Sequence, residues 1–532
     1  MTNTTCTRSG SQSTSKAGLL YMTLIYVISL LSGASFAVAS DMAKAEPTER
    51  IIYAQRGATR DLAPDFLGFN GNLIGHQHPW SDAQLLSAFK RINPGHLRYP
   101  GGTVANYWDW DKGTISDRLE KKDMGPSAGL LDKPRLETRY TLEDLAQATR
   151  ETGATPIFVL NMILYELDEQ VAHLKRAQAL GMSIKYIELG NEYYFGVGAH
   201  PIVTKKYPRA EDYAKAAGRW SRTLKKVFPD VNIAVIAAGP VEDLSKSSRR
   251  RTWDKKLYES YREKDAVTLH FYPSTGLAEQ GRNSRPEGWG TPQMQRKQAN
   301  LIATQAGFET LLATSQDVLR KKLANAAFPP DADIWITEFN IWDSTGAIRG
   351  TWAHGLAIAN FIHTLLSEPR VKLAAYHNVY AQSYFTAIWR SPNEFRYSAL
   401  GKQDKPEQYA LSGPGVALAL LGKVMNGSTA ATSIIFTNSP SSEPVVLKED
   451  APRLIGWIFS SSSTENIIFM NLNDDFVMVD VTDLNKTGWG WSEKSAPPRI
   501  RVINDGALRV RSGLVDRIIK LSPHSLTLIE RN

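Results

Sequence analysis

One cysteine, Cys6, is all that 532 residues contain, and it lies ahead of an apolar run. Beyond it, disulfides, thiol nucleophiles and cysteine metal ligands are excluded. A large excess of either charge sign is also lacking. The 62 Lys and Arg against 54 Asp and Glu leave a net +8, modest for this length, and no nucleic-acid-binding motif accompanies it, so no nucleic-acid partner is expected. No internal repeat or extended low-complexity tract stands out. A hydrophobic run of membrane-spanning length occurs at the N-terminus, where Arg8 and Lys16 are the only charges before Asp41 and Ala17 to Phe36 is mostly apolar. Ala37-Val38-Ala39 before Ser40 fits a small-x-small cleavage site. The reading is a signal peptide over 1–39, the alternative an uncleaved anchor long enough to cross a bilayer. Cleavage also removes Cys6. An exported chain without disulfides points to a periplasmic or secreted protein with no stable membrane partner; an oligomer stays open.

What is present is material for a large core: 42% hydrophobic and 22% charged residues, with 13 Trp and 20 Tyr that suit either core packing or sugar stacking. From Phe66 a rhythm of short apolar strand, loop and amphipathic helix repeats eight times. The strand candidates are Phe66–Asn70, His96–Tyr99, Pro156–Asn161, Lys185–Gly190, Val231–Ala238, Ala266–Phe271, Asp333–Thr337 and Lys372–His377. This pattern predicts an α/β fold, a (β/α)8 TIM barrel over 66–400, with long loops at Asn106–Arg139 and Tyr272–Gln295. Short alternating strands over 401–532, including Pro444–Leu447 and Arg499–Ile503, predict a mainly β-sandwich domain. The segment 40–65 carries a lone strand, Ile51–Ala54, expected to join that sandwich.

Two stretches carry the chemistry. Tyr186-Ile187-Glu188-Leu189-Gly190-Asn191-Glu192 and Ile334-Trp335-Ile336-Thr337-Glu338-Phe339-Asn340 are apolar runs ending in a carboxylate beside an asparagine. Two glutamates at strand ends of one barrel suit glycosidic bond cleavage, one protonating the leaving oxygen and the other attacking or stabilising the sugar carbon. Glu192 is expected to need a raised pKa, supplied by burial beside a second carboxylate. Arg98, followed by Tyr99-Pro100-Gly101-Gly102-Thr103, can hold a carboxylate ionised. Asn191 can donate to a sugar 2-hydroxyl. His270-Phe271-Tyr272 places a tyrosine hydroxyl at the sixth strand end, Asn161 closes the third, and Tyr376-His377-Asn378 closes the eighth.

Asn-Glu after strand four with a second Glu after strand seven resembles the clan A retaining glycoside hydrolases. Leu97–Gly102, Leu189–Glu192 and Glu338-Phe339-Asn340-Ile341-Trp342 are most similar to glycoside hydrolase family 51, the α-L-arabinofuranosidases, a barrel bearing a β-sandwich built from both chain ends. The resemblance implies Glu192 as acid/base and Glu338 as nucleophile, with Arg98, Asn191 and Tyr272 in support; Thr103, Asn161, His270 and Trp342 complete the expected substrate contacts. Thr103 departs from the family's usual asparagine and resembles family 79, which contains β-glucuronidases and heparanase. The expected function is therefore a retaining glycosidase, arabinofuranosidase-like, acting on an oligosaccharide or polysaccharide. A glucuronidase-like or endo-acting enzyme and a non-catalytic carbohydrate-binding barrel are the alternatives. No cofactor is expected. His76-Gln77-His78 lacks the further ligands that a metal site at a barrel's mouth requires, and Arg249-Arg250-Arg251, with Lys246 nearby, reads as a solvated loop or helix face, the alternative being recognition of a uronate or sulfate.

Overall fold

The computed structural model describes residues 51–71, 79–131, 138–196, 200–240, 248–263, 265–277, 301–324, 327–343, 345–381, 385–389, 409–439, 453–502 and 505–531. The signal segment, His76 and His78, Lys246, Pro444–Leu447 and most of the Tyr272–Gln295 loop lie outside them. Among the described residues no helix is long and apolar enough to cross a membrane.

Eight parallel strands close into a barrel: Leu67–Asn70, His96–Tyr99, Thr155–Val159, Tyr186–Glu188, Asn232–Ile236, Ala266–Phe271, Ile334–Phe339 and Val371–Tyr376, with the last pairing back onto the first. All eight candidates are barrel strands, because each is an almost wholly buried run too short for a core helix. Amphipathic helices cover the outside. In Leu142–Thr152, for example, Thr141 and Asp144 form a reciprocal cap at the start and Gly153 ends the helix in a left-handed conformation.

The second domain is a nine-stranded sheet in the order Arg509–Leu514, Gly490–Ser495, Ser525–Glu530, Glu465–Asn471, Leu454–Ser460, Ala430–Thr437, Ile51–Asp61, Val477–Asp480 and Ile518–Leu521. Ile467, Phe469 and Ile529 share one core with Val479, Ile519 and Leu521, although they sit far apart in that order. The sheet must double over to bring them together, which makes it a sandwich. Alternation does the rest: Ile468, Met470, Leu526 and Leu528, on the other face of two of these strands, are buried in the large core shared with the barrel.

The N-terminal strand joins the sandwich as expected but runs to Asp61, not Ala54. It pairs antiparallel with Ala430–Thr437 and parallel with Val477–Asp480, with an irregularity between Arg56 and Thr59, and its polar second half hid the pairing. Of the expected strand Arg499–Ile503, the described part, Arg499–Val502, is not a strand. Its backbone turns to the barrel instead, with Val502 N donating to Gly350 O at 2.9 Å and Ile500 O accepting from Trp352 N at 2.8 Å. Gly490–Ser495 and Arg509–Leu514 pair with each other although neither has an apolar run; the second is an edge strand exposed over most of its length.

Candidate active site

The C-terminal ends of the barrel strands converge on Arg98, which is fully buried at the second strand. Its guanidinium grips Glu188 with two bonds, Nε to Oε2 at 2.7 Å and Nη2 to Oε1 at 2.9 Å. It also donates to Glu338 Oε1 at 2.9 Å and to Asn191 Oδ1 at 2.7 Å. One arginine thus ties the fourth barrel strand to the seventh. A buried guanidinium is tolerable only with such saturation, and its carboxylate neighbours push its pKa up despite burial.

Glu338 is aimed inward by a register shift between Ile336 and Glu338 against the neighbouring sixth strand. Its Oε1 accepts from Arg98 and from Asn70 Nδ2 at 3.1 Å, and its Oε2 from the Tyr272 hydroxyl at 2.9 Å. Burial pushes its pKa up, but His270, His377, Arg98 and the Tyr272 hydrogen bond outweigh that and hold it at about 2. Tyr272 itself is held well above the usual phenol range by burial and the adjacent Glu338 charge, so it remains a donor.

Glu192 stands two residues past Gly190, where any side chain would collide with the Tyr193 ring. Glu192 itself adopts φ 52, a left-handed backbone rare for glutamate and of the kind found where a site stores strain. Its Oε1 takes hydrogen bonds from the Tyr194 hydroxyl at 2.8 Å and from His270 Nδ1 at 2.9 Å. The same nitrogen lies 3.4 Å from Glu338 Oε2. The nearest oxygens of Glu192 and Glu338 are therefore at most 6.3 Å apart, the sum of those two contacts.

The expectation for the Glu192 pKa is corrected here. Burial raises it, but the His270 charge and hydrogen bond outweigh burial, and the net direction is down. His270 answers in the opposite sense. Burial lowers it, the two carboxylates raise it, and the net direction is up. Both directions favour a charged imidazole beside a charged carboxylate.

The remaining expected contacts divide. Asn191 is fully buried, and among the described residues its Nδ2 has no hydrogen-bond partner. Thr103 is half-buried, at the start of a short 3-10 helix after Gly101 and Gly102, both at positive φ. Trp342 continues the pairing of the sixth and seventh strands beyond the barrel, its N donating to Pro273 O at 2.7 Å, and leaves its indole 59% exposed. Asn161 is not brought to the carboxylates. Its amide is spent locally, Nδ2 on Trp108 O at 2.9 Å and Oδ1 on the backbone of Ile163 and Leu164. The arginine run is not a solvated face throughout: Arg249 donates to Tyr193 O and Pro208 O, and Arg250 lies over the rings of Tyr194 and Phe195. These two brace the loop that carries Glu192.

Glu188, Asn70 and Tyr194 were not among the residues expected at the site. Glu188 was detectable as the one charge inside an apolar run, and Asn70 as the polar end of the first strand. Among the described residues no cluster of three or more metal-binding side chains occurs.

No family model matches the chain. Probable α-L-arabinofuranosidase C of Aspergillus clavatus is 27% identical over 185 residues, 31% of this chain and 34% of that protein. The enzyme of the same name from Aspergillus fumigatus is 26% identical over the same shares. The matched segment thus spans about a third of the curated relatives' length. Among solved structures, the family 51 arabinofuranosidase of Xanthomonas axonopodis pv. citri superposes with a TM-score of 0.61 at 15% identity, covering 91% of this chain and 100% of that one. The thermostable enzyme of Thermotoga petrophila gives 0.57 at 16%, again over 91% and 100%. A 4-O-α-L-rhamnosyl-β-D-glucuronidase from Fusarium oxysporum gives 0.51 at 12%, over 90% and 100%. The chain has the barrel-and-sandwich fold of the family 51 glycoside hydrolases and resembles curated α-L-arabinofuranosidases in sequence over about a third of its length.

Proposed function

We propose that this protein is a retaining glycoside hydrolase that acts on α-L-arabinofuranosides of an oligosaccharide or polysaccharide, exported after loss of residues 1–39. The observation that carries this is the carboxylate pair. Glu338 is held ionised at about 2 by Arg98, His270, His377 and Tyr272, within 6.3 Å of Glu192. Retention calls for carboxyl groups about 5–5.5 Å apart and inversion for roughly 6.5–9.5 Å. The bound, taken between the nearest oxygens, is compatible with the retaining separation.

In this reading Glu338 attacks the anomeric carbon, forming a glycosyl ester as the bond to the leaving oxygen breaks. Glu192 protonates that oxygen and afterwards takes a proton from the water that hydrolyses the ester. His270 Nδ1, 2.9 Å from Glu192 Oε1, is placed to pass it a proton when a leaving oxygen arrives. Arg98 and Tyr272 keep the nucleophile charged and correctly turned, and Asn191 Nδ2 serves the sugar 2-hydroxyl. The arabinofuranoside preference rests on the curated relatives.

The test is hydrolysis of an aryl α-L-arabinofuranoside and an aryl β-D-glucuronide, with the Glu338→Ala variant beside the wild type. Arabinofuranoside turnover that vanishes in the variant supports the reading. Turnover of the glucuronide alone replaces the substrate, and undiminished activity in the variant removes the mechanism.

A further inference from the structure

His377 follows the eighth barrel strand, and its ring sits beside the Glu338 carboxylate without closing it off. Nδ1 lies 2.7 Å from Asn70 Nδ2 and 3.6 Å from Glu338 Oε2. The Asn70 amide orientation is settled by its second neighbour, because Nδ2 is also 3.1 Å from the Glu338 carboxylate oxygen, which can only accept. Nδ1 of His377 therefore accepts, and the ring proton sits on Nε2. Burial, which outweighs the pull of Glu338, lowers the pKa of this imidazole, so at neutral pH it is uncharged and it carries the charge that helps depress Glu338 only in acid.

The backbone under the ring is clamped. His377 N donates to Phe339 O at 3.0 Å, and His377 O accepts from Asn340 Nδ2 at 2.6 Å. The Asn340 Oδ1 in turn meets His354 Nε2 at 2.8 Å. The His377 side chain is 22% accessible, against 18% for Glu192, 10% for His270 and 8% for Glu338. Among the described residues its Nε2 makes no hydrogen bond, and it is not among the fully buried atoms lacking a partner, so this nitrogen keeps access to solvent.

We propose that His377 is a substrate-binding residue whose Nε2–H donates to a hydroxyl of the sugar held against Glu338, and so helps to decide which sugar fits. This rests on the glycosidase reading. Asn191 is assigned the 2-hydroxyl, which leaves another hydroxyl of the same ring to His377. The ring cannot play this part as a cation, since its other nitrogen is already accepting. A sugar with an acceptor or donor hydroxyl at that point is favoured, and one with a carboxylate there gains less than it would from a cationic residue.

The test uses the aryl glycoside that the wild type hydrolyses and its monodeoxy analogues, with His377→Phe to keep the ring shape and His377→Gln to restore an amide donor. His377→Phe should lower kcat/KM roughly 10- to 100-fold, the range for a lost, desolvated hydrogen bond. For one deoxy analogue the wild type and His377→Phe should react alike, since deleting either partner of one bond is not additive with deleting the other. His377→Gln should recover part of the loss. Unchanged kcat/KM in His377→Phe, or losses that multiply for every analogue, overturns the assignment while leaving the glycosidase reading intact. If His377→Phe does not fold, the same comparison is read from His377→Gln. A wild type inert toward the whole glycoside panel overturns both.

Discussion

At the scale of single residues, the site is a problem of placing one proton among three groups. His270 Nδ1 reaches both Glu192 and Glu338, and burial alone would leave all three uncharged. Removing the imidazole charge with His270→Asn should let burial and the Glu338 charge lift Glu192 above its present depressed position. Carboxyl infrared titration, with the double variant carrying Glu192→Gln as the blank, would show a carboxylic acid band persisting to higher pH. A Glu192 band that does not move would mean that the histidine does not set its charge. Glu192→Ala should lower kcat/KM for a poor leaving group by about 10²–10⁴, the usual worth of a general acid, and by much less for an activated aryl group. Glu338 gives a stability signature as well. Its folded pKa is depressed, so its charge contributes stability above the ordinary carboxylate range, and that contribution is lost as pH falls toward about 2. Thermal melts of wild type and Glu338→Gln should therefore differ most near neutrality and converge in acid.

At the scale of elements, the second, fourth and seventh barrel strands are fastened to one another through Arg98. Glu188→Gln removes its bidentate partner inside the barrel, and breaking a buried pair of this kind costs about 3–5 kcal/mol. Chemical denaturation should register that loss, and catalysis should fall with it because Arg98 no longer turns Glu338. Gly101 has a similar weight: at φ 74, any Cβ would strike Asn70 Oδ1, so Gly101→Ala should displace Asn70 from Glu338. These elements also show what was legible beforehand. Strands buried on both faces are continuous apolar runs, so all eight barrel strands and the carboxylates at their ends could be read from Phe66 to His377. Edge and surface strands carry no such run, and Arg509–Leu514 and the second half of Ile51–Asp61 were invisible for that reason. The Glu192–His270 proton pair was hidden for a different one. Sequence spacing places two residues on neighbouring strands but does not say whose proton the field between them favours. Asn161 misled because a polar strand end can serve the loop after it as well as the pocket.

At the scale of the whole molecule, barrel and sandwich share one core, with Ile468, Met470, Leu526 and Leu528 buried on the sandwich face that meets the barrel. Polar ties reinforce the junction: Trp352 Nε1 donates to His524 O at 2.6 Å, Trp457 Nε1 to His363 Nδ1 at 3.1 Å, and Arg453 pairs with Glu309. Ile468→Asp should therefore lower the melting temperature of the barrel as well as of the sandwich, in one transition seen alike by activity loss and by circular dichroism. Two separated transitions would show that the domains stand independently. The N-terminal strand makes the same point, since it lies inside the sheet, hydrogen-bonded on both sides. Export, if it proceeds by cleavage after Ala39, leaves that strand intact.

The central claim is that Glu338 becomes covalently glycosylated during turnover. The measurement that tests it most directly is intact-mass and peptide analysis of the Glu192→Ala variant, quenched while it consumes a dinitrophenyl α-L-arabinofuranoside. With the general base gone, the ester should accumulate, and the account predicts one pentosyl unit on the peptide containing Glu338. Steady consumption of the substrate with no label, or a label on another residue, would contradict it.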